Sequence, residues 1–444
     1  MKRCIGLMLA FVLLLPSFAQ ANEDQAVRWL QGKKGEWATI ALIAAGQKAS
    51  LSGIPEGRAM TNWERLLLEE AAVGQVKETT VSKIAKGQLA NGKFADLVNG
   101  TGEGLVNAHI WGILSLYAAG KTIPQKNLAL KWLVDQQNPD GGFHFDAESK
   151  TSDADMTAMA LLALKNLGLP KDHPTVVKAF SYLKKNQLSN GAFQTMGTET
   201  AESTAAVIQA FVAYGEDPKN WNGKNAVEAL LSFQQKDGGF AHLKQEKNLS
   251  SQMATEQALL ALTDVERGES WITRFRQKNL QITDLPSNAW GYQQVHSLLL
   301  DGVMSGFPDG SFRPGDVMTR AQFATMMVQW EGGIPSTRTA VKFQDVPESH
   351  WARPFVGYAV HKGWIKGVTE TRFEPDKPIT AAQAVTILVQ FQGGEVGQTT
   401  PWYKGFVDYA RQGGWLYSGL EPDQPINRAQ VAWLVDTIRK NSRF

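Results

Sequence analysis

The sequence predicts an all-α-dominated protein built from two different arrays of helical repeats, and three observations carry that prediction. Over roughly the last 160 residues one segment is written three times. From residue 22 to about 280 a different unit, helix–glycine turn–helix, recurs about every 50 residues. The second helix of that unit is almost wholly apolar and Ala-rich, the mark of a buried helix, whereas the first mixes Lys and Gln and reads as an outer face. Repeats of this length mean stacked supersecondary units.

The chain opens Met1-Lys2-Arg3, continues with an apolar run from Ile5 to Leu15, and reaches Ala19-Gln20-Ala21. This is the pattern of a secretory signal peptide over 1–21, cleaved after Ala21. The apolar run is short of the ~18 residues that a spanning helix needs, and no later segment qualifies, so no transmembrane segment is expected. Cys4, the only cysteine, lies inside this signal. The mature chain is therefore expected to hold no disulfide, no thiolate zinc site and no cysteine nucleophile, and no metal or cofactor is expected. With 45 basic and 43 acidic residues the net charge is +2, which removes nucleic acid from the list of partners.

In the first array, over 22–280, Phe94, Phe143, Phe193 and Phe240 mark equivalent turns at intervals of 49, 50 and 47 residues. The clearest copy reads Gln136-Gln137, Asn138-Pro139-Asp140-Gly141-Gly142-Phe143, then an inner helix from Ser152 to Leu164. The others carry Asn91-Gly92, Asn190-Gly191 and Asp237-Gly238-Gly239 at the turn, and a degenerate first copy sits near Trp29 to Trp37. Asn-Gly and Asp-Gly-Gly supply the positive φ of a tight reversal. About twelve helical segments fit before residue 280. Closing them into a ring of six inner and six outer helices spares both ends an exposed apolar face.

The Gln, Gly-Gly-Phe and Thr157-Ala158-Met159-Ala160 positions make this array resemble the α/α toroid superfamily of terpene cyclases, prenyltransferase β subunits and cobalamin carriers. The resemblance implies a toroid of about six hairpins. Asp153-Ala154-Asp155-Met156 is similar to the acidic motif with which squalene-hopene-type cyclases protonate their substrate, and Asp155 falls on the donor position. Met156 stands where the last acid belongs, and beyond Cys4 of the expected signal no Cys is present for a prenyltransferase zinc site. The motif is read as a record of the fold.

In the second array the copies run Trp290, Gly302, Gly306, Phe312, Pro314, Thr319-Arg320-Ala321-Gln322, then Trp351 to Gln383, then Trp402 to Gln430. Trp to Gly is 12 residues and Pro to Thr or Asn is 5 in every copy. These copies resemble S-layer homology repeats, which anchor secreted proteins on bacterial walls, and they divide as 281–337, 338–396 and 397–444. The resemblance implies a pseudo-threefold bundle with glycan grooves between repeats, a pyruvylated secondary wall polysaccharide as partner, and S-layer neighbours at the cell surface.

Candidate residues follow. Thr319, Thr380 and Asn427 are good N-caps, which puts Arg320 and Arg428 in a first turn where the macrodipole disfavours a cation. A guanidinium beside free helix N–H groups would make an anion site. The resemblance assigns Arg320 and Arg428 to a ketal carboxylate and adds Asp284, Asp345, Trp290, Trp351 and Trp402. The tryptophans stack on sugar or belong to the core. Gly306 and Gly367 would let backbone approach the glycan. Ala381 replaces the arginine in the second copy, and the third lacks the acidic opening, so one or two competent grooves are expected.

In the first array, Asn107, Asp153, Asp155, Glu199, Glu202 and Glu256 sit where inner helices start. They are either N-caps and dipole partners or a carboxylate-lined pocket in which Asp153, Asp155 or Glu202 does acid–base work. His109 is expected to be packed, and His144 and His242, at the same offset from their turns, to brace them. The reading favours a non-enzymatic displayed ring, with a cyclase-like or glycan-processing enzyme, or a cobalamin-type carrier, as alternatives.

Overall fold

A computed structural model describes residues 18–53, 57–307, 309–335 and 341–441. Residues 1–17 of the expected signal peptide lie outside the described residues. Helices dominate, and their apolar side chains form two separate cores, one spanning Ala26 to Phe275 and the other Leu285 to Ile438.

The first core is a closed ring. Its inner wall is made by α2 (Glu36–Ala44), α3 (Met60–Val73), α5 (Val106–Ala118), α7 (Ala154–Asn166), α9 (Ala201–Ala213) and α11 (Gln252–Arg267), each packed on the next, with α11 returning to α2. Outside them lie α1 (Phe18–Leu30), α4 (Glu78–Lys86), α6 (Lys126–Asp135), α8 (Pro174–Asn186) and α10 (Ala226–Leu231). A small antiparallel hairpin, β1 (Gln194–Thr195) with β2 (Thr198–Glu199), precedes α9.

The glycine turns explain why the repeat takes this form. In all four copies a Gln side chain donates to the turn glycine's carbonyl: Gln88 to Gly92 at 2.8 Å, Gln137 to Gly141 at 2.8 Å, Gln187 to Gly191 at 3.2 Å and Gln234 to Gly238 at 3.1 Å. Those glycines share φ between 91° and 94°. A Cβ on Gly141 would lie 2.5 Å from the Lys178 carbonyl of the next outer helix, and one on Gly238 would lie 2.7 Å from Gln25 of α1. The fourth turn thus rests on the first helix, which closes the ring. Each turn's buried Phe donates its N–H to the fourth residue of the inner helix: His109 Nδ1 at 3.1 Å, then Thr157, Thr204 and Thr255 Oγ1 at 3.0, 3.1 and 2.8 Å.

The expected six-plus-six count needs correction. Between α2 and α3 the described residues hold no outer helix. The twelfth helix, α12 (Trp271–Asn279), crosses the ends of the inner helices instead. Asn279 Nδ2 donates to Ala71 O at 2.9 Å and Ala118 O at 3.2 Å, and Lys278 Nζ to Ala72 O at 2.9 Å. These bonds cap carbonyls at the ends of α3 and α5, which helix termini otherwise leave unsatisfied. Trp271, 1% exposed, sends its indole into the ring, where Nε1 meets Gln209 Oε1 at 2.8 Å. There it packs edge-on against Trp37, which packs in turn on Trp111, with centroids 6.4 and 5.1 Å apart.

Each repeat gives the second core two helices, α13 (Tyr292–Leu300) and α14 (Arg320–Glu331), α15 (Arg353–His361) and α16 (Ala381–Phe391), α17 (Lys404–Gln412) and α18 (Arg428–Asn441), and they pack between repeats, α14 on α15, α16 on α17 and α18 on α13. Gly302, Gly363 and Gly414 end the first helix of each pair with φ of 68°, 76° and 67°. Backbone bridges run Thr319↔Pro378, Thr380↔Pro425 and Val317↔Asn427, so the first repeat grips the second, the second the third, and the third the first.

Candidate functional site

The sites are of two kinds, the seams between C-terminal repeats and the mouth of the ring. At each seam the Thr-Arg-Ala-Gln motif is a capping box. Thr319 and Gln322, and Thr380 and Gln383, exchange side-chain and backbone hydrogen bonds, and Asn427 with Gln430 does the same at 2.9 Å both ways. The next two N–H groups are also taken. Arg320 N and Ala321 N donate to Lys377 O and Pro375 O, both at 2.9 Å. Arg428 N and Ala429 N donate to Asp316 O at 2.9 Å and Pro314 O at 3.0 Å. The expected free helix N–H groups therefore do not exist at these seams: the neighbouring repeat consumes them.

The arginines act across the same seams. Arg320 Nε donates to Phe373 O and Nη2 to Lys366 O, both at 2.9 Å, with the guanidinium over the Phe373 ring. Arg428 makes the equivalent bonds to Phe312 O and Ser305 O, both at 2.8 Å, over Phe312 and Phe307. Burial lowers both pKa values, that of Arg428 to about 10. Arg320 is buried at 6% exposure, whereas Arg428 is half-buried. Ala381 of the second copy faces the third repeat's Leu420 loop, where both latch and Phe have been replaced together.

The other seam candidates divide. Asp284 accepts the N–H groups of Phe312 and Arg313 at 2.7 Å each, and Asp345 those of Phe373 at 2.9 Å and Glu374 at 2.8 Å. Both carboxylates thus pin their own repeat's loop, and Asp284 does so while remaining exposed. Gly306 and Gly367 also serve the loop. A Cβ on Gly367 would meet Phe343 at 2.4 Å and the Thr369 carbonyl at 2.5 Å; one on Gly306 would meet Ser311 O at 3.0 Å. The tryptophans resolve the other way: Trp290, Trp351 and Trp402 are 50%, 56% and 54% exposed. Trp290 stacks parallel on Trp433 at 5.2 Å and edge-on to Tyr417 at 5.5 Å, joining the first repeat to the third. Sequence reading missed Trp433 and Tyr417. The signal was available for Trp433, the sixth residue of α18, where α14 and α16 have Thr325 and Thr386.

At the ring's mouth Asn107, Asp155 and Glu202 are each the second residue of an inner helix, and each keeps one buried oxygen without a hydrogen-bond partner. Asp155 and Glu202 are neighbours. Burial raises the pKa of both, and the charge of Asp155 raises that of Glu202 further. His242 Nδ1 lies 2.9 Å from Glu202 Oε2, so this histidine reaches the mouth and is not a turn brace. His144 does brace its turn, accepting from Asp146 N at 3.2 Å. Asp153 is an N-cap, accepting from Met156 N at 2.7 Å, and burial pushes it up to about 6. Glu199 is held on the rim by Asn190 at 2.9 Å, and Glu256 by Gln252 at 2.8 Å. Burial drives His109 down to about 3, and Ala129 O at 3.0 Å occupies its Nε2, so it is a packed residue.

Comparison with known proteins follows this division. The S-layer homology domain model matches residues 281–324 and 342–385, and the squalene-hopene cyclase C-terminal domain model matches 144–296. A cellulosome-anchoring protein of Acetivibrio thermocellus is 34% identical over 117 residues, covering 25% of this chain and 26% of that one. A surface-layer 125 kDa protein of Lysinibacillus sphaericus is 27% identical over 167 residues, covering 33% and 14%. The chain spans at most 26% of the length of the curated relatives it matches. Among solved structures, the type II terpene cyclase from Scytonema aligns at 13% identity and a TM-score of 0.42, covering 56% of this chain and 99% of that one. The chain thus carries S-layer homology domains beside a helical ring, and it is a cell-surface protein; among the described residues no helix is long and apolar enough to cross a membrane.

Proposed function

We propose that the C-terminal repeats hold the chain on the cell wall by gripping an acidic secondary wall polysaccharide, and that the seam between the third and first repeats is the main groove. One observation carries this reading: the half-buried Arg428 shares its seam with the half-exposed Trp290, which stacks across the repeats on Trp433 and Tyr417, whereas the ring contacts of Trp351 and Trp402 are to His350 and Tyr403 of their own repeats. The Nε and Nη2 atoms of Arg428 latch the loop, and its remaining N–H edge is the donor for a carboxylate such as a pyruvyl ketal. The flat indoles suit the C–H face of a sugar. The Arg320 seam is secondary, because that guanidinium is buried, and the Ala381 seam is silent. The domain boundaries 22–280, 281–337, 338–396 and 397–444 belong to the same reading, as do S-layer neighbours. The ring is displayed outward in a non-catalytic role, supported by the three indoles that fill its interior.

Co-sedimentation with purified walls, before and after removal of pyruvyl groups, tests it. Arg428→Ala should weaken binding by about 1.5–3 kcal/mol, the scale of a lost charge-assisted bond, and more than Arg320→Ala does. Equal retention of wild type and a folded Arg428→Ala variant would sink the assignment. A second reading, acid–base chemistry at the mouth, is favoured by one observation, the adjacent unpartnered oxygens of Asp155 and Glu202. Hydrolytic activity on wall glycan that vanishes in Glu202→Gln would establish it.

A further inference from the structure

Where the ring meets the first C-terminal repeat, the chain walls an open cavity of about 70 Å³, one side of which is the 305–312 loop that Arg428 latches from the far side. Its walls come from the ends of α5, α7 and α12 and from the 299–312 segment. Three basic side chains, Lys121, Lys126 and Arg276, line it; Lys121 is paired with Glu78 of α4, and among the described residues no carboxylate lines the cavity itself. Two further facts point to an absent acceptor. Arg276 and Asn166 are only 8% and 7% exposed, yet Arg276 Nε and Asn166 Nδ2 have no hydrogen-bond partner. Buried donors are rarely left unpaired, and here both line the same cavity.

Helix ends account for part of this charge. Arg276 donates to Tyr117 O at 3.1 Å and Leu299 O at 3.0 Å, and Lys126 Nζ to Gly302 O at 2.6 Å. Those carbonyls sit at helix C-termini, which favour cations. They leave the Arg276 Nε, the Asn166 amide and the rest of the Lys126 ammonium without acceptors. Burial and the Arg276 charge together lower Lys126 to about 8, as expected of an ammonium with no counter-ion.

We propose that this cavity binds a small oxyanion, a phosphate or carboxylate group, with Lys126, Arg276 and Asn166 as its donors. The cavity shares Lys121, Gln281, Phe307 and Gly310 with an adjoining groove of about 690 Å³. The anion therefore comes either as a free ion or as the acidic terminus of a saccharide lying in that groove. Occupancy would tie the ring to the first repeat through donors contributed by both sides.

The test is thermal unfolding of the full chain at constant ionic strength, with inorganic phosphate replacing chloride. At tenfold excess over its dissociation constant, phosphate should raise the wild-type midpoint by roughly 3 °C. The rise should disappear in Lys126→Met and in Asn166→Leu. Lys126→Met also removes the Gly302 contact and lowers the starting midpoint, so the phosphate-dependent increment is what is compared. Asn166→Leu leaves the helix-end bonds of Arg276 and Lys126 in place. No increment in wild type, or an equal increment in all three proteins, overturns the proposal. Displacement of phosphate by wall polysaccharide fragments identifies the saccharide terminus as the source, and failure to displace it identifies the free ion; either result upholds the site. The proposal is separable from wall anchoring, because Asn166→Leu should abolish the phosphate increment while changing none of the contacts of Arg428.

Discussion

At the mouth of the ring, where the inner helices begin, Asp153, Asp155, Glu202 and Glu256 gather; at its foot, where they end, Lys126, Arg274, Arg276 and Lys278 do. The inner helices run in one direction, so their macrodipoles add positive potential at the mouth and negative potential at the foot, and each end has collected the opposite charge. Burial works against both sets, raising the carboxylates and lowering Lys126, Arg274 and Arg276. The ends differ in how that cost is met. Foot cations donate to backbone carbonyls, Arg274 also pairing with the buried Asp264 at 3.4 Å, and so build the ring's floor. At the mouth Asp155 and Glu202 each keep one buried oxygen unpartnered, while the other Glu202 oxygen lies 2.9 Å from His242 Nδ1. The foot is a structural joint with a small remainder of free donors, whereas the mouth is held in reserve.

That contrast predicts a graded series of effects. The largest belongs to the foot: Trp271→Ala should cost about 3–5 kcal/mol in chemical denaturation, since it empties the ring's centre and orphans Gln209. A loss under about 1 kcal/mol would mean that α12 is dispensable and that the foot is not a joint. Next comes Asp155→Asn at the mouth, which should stabilise the protein by about 1–2 kcal/mol at pH 7 by removing a buried, underpaired charge. Destabilisation would show that the carboxylate has a structural partner and that the mouth resembles the foot.

The third effect is in pH. Asp153 has a folded pKa of about 6, above the unfolded value of 3.8. Its contribution to stability is therefore fully present below about pH 4 and is lost as pH rises through about 6. Asp153→Asn keeps the N-cap and abolishes the titration. The variant should match wild type at pH 4 and exceed it on the order of 1 kcal/mol at pH 7, a figure reduced for partial exposure. A constant difference across that range would refute the burial account. Smallest is Lys278→Ala, whose exposed cation caps Ala72 O; about 0.5 kcal/mol or less is expected from thermal melts.

Much of this was legible in the chain. The intervals between Phe94, Phe143, Phe193 and Phe240 locate the turns, and the Ala-rich helices after them are the inner wall. Thr319-Arg320-Ala321-Gln322 announces a capping box that the structure contains. Other features were not legible, and for one reason. Arg320 looked like a ligand residue at a free helix start, but carbonyls 46 and 53 residues away claim its guanidinium. Asp284 looked like an acidic ligand, but it holds N–H groups 28 and 29 residues downstream. In each case the spacing was visible and the partner was not.

The sequence by itself determined what depends on neighbours along the chain: helix faces, positive-φ turns, N-caps, and the number and order of repeats. Local sterics and hydrogen bonding within a few residues settle these. Tertiary structure alone decided that α12 crosses the foot of the ring, that Trp290 meets Trp433 across a seam, and that Lys126, Asn166 and Arg276 enclose one cavity. These outcomes join residues about 40 to 210 positions apart, and ring closure and the cyclic seams, not any local preference, bring them together.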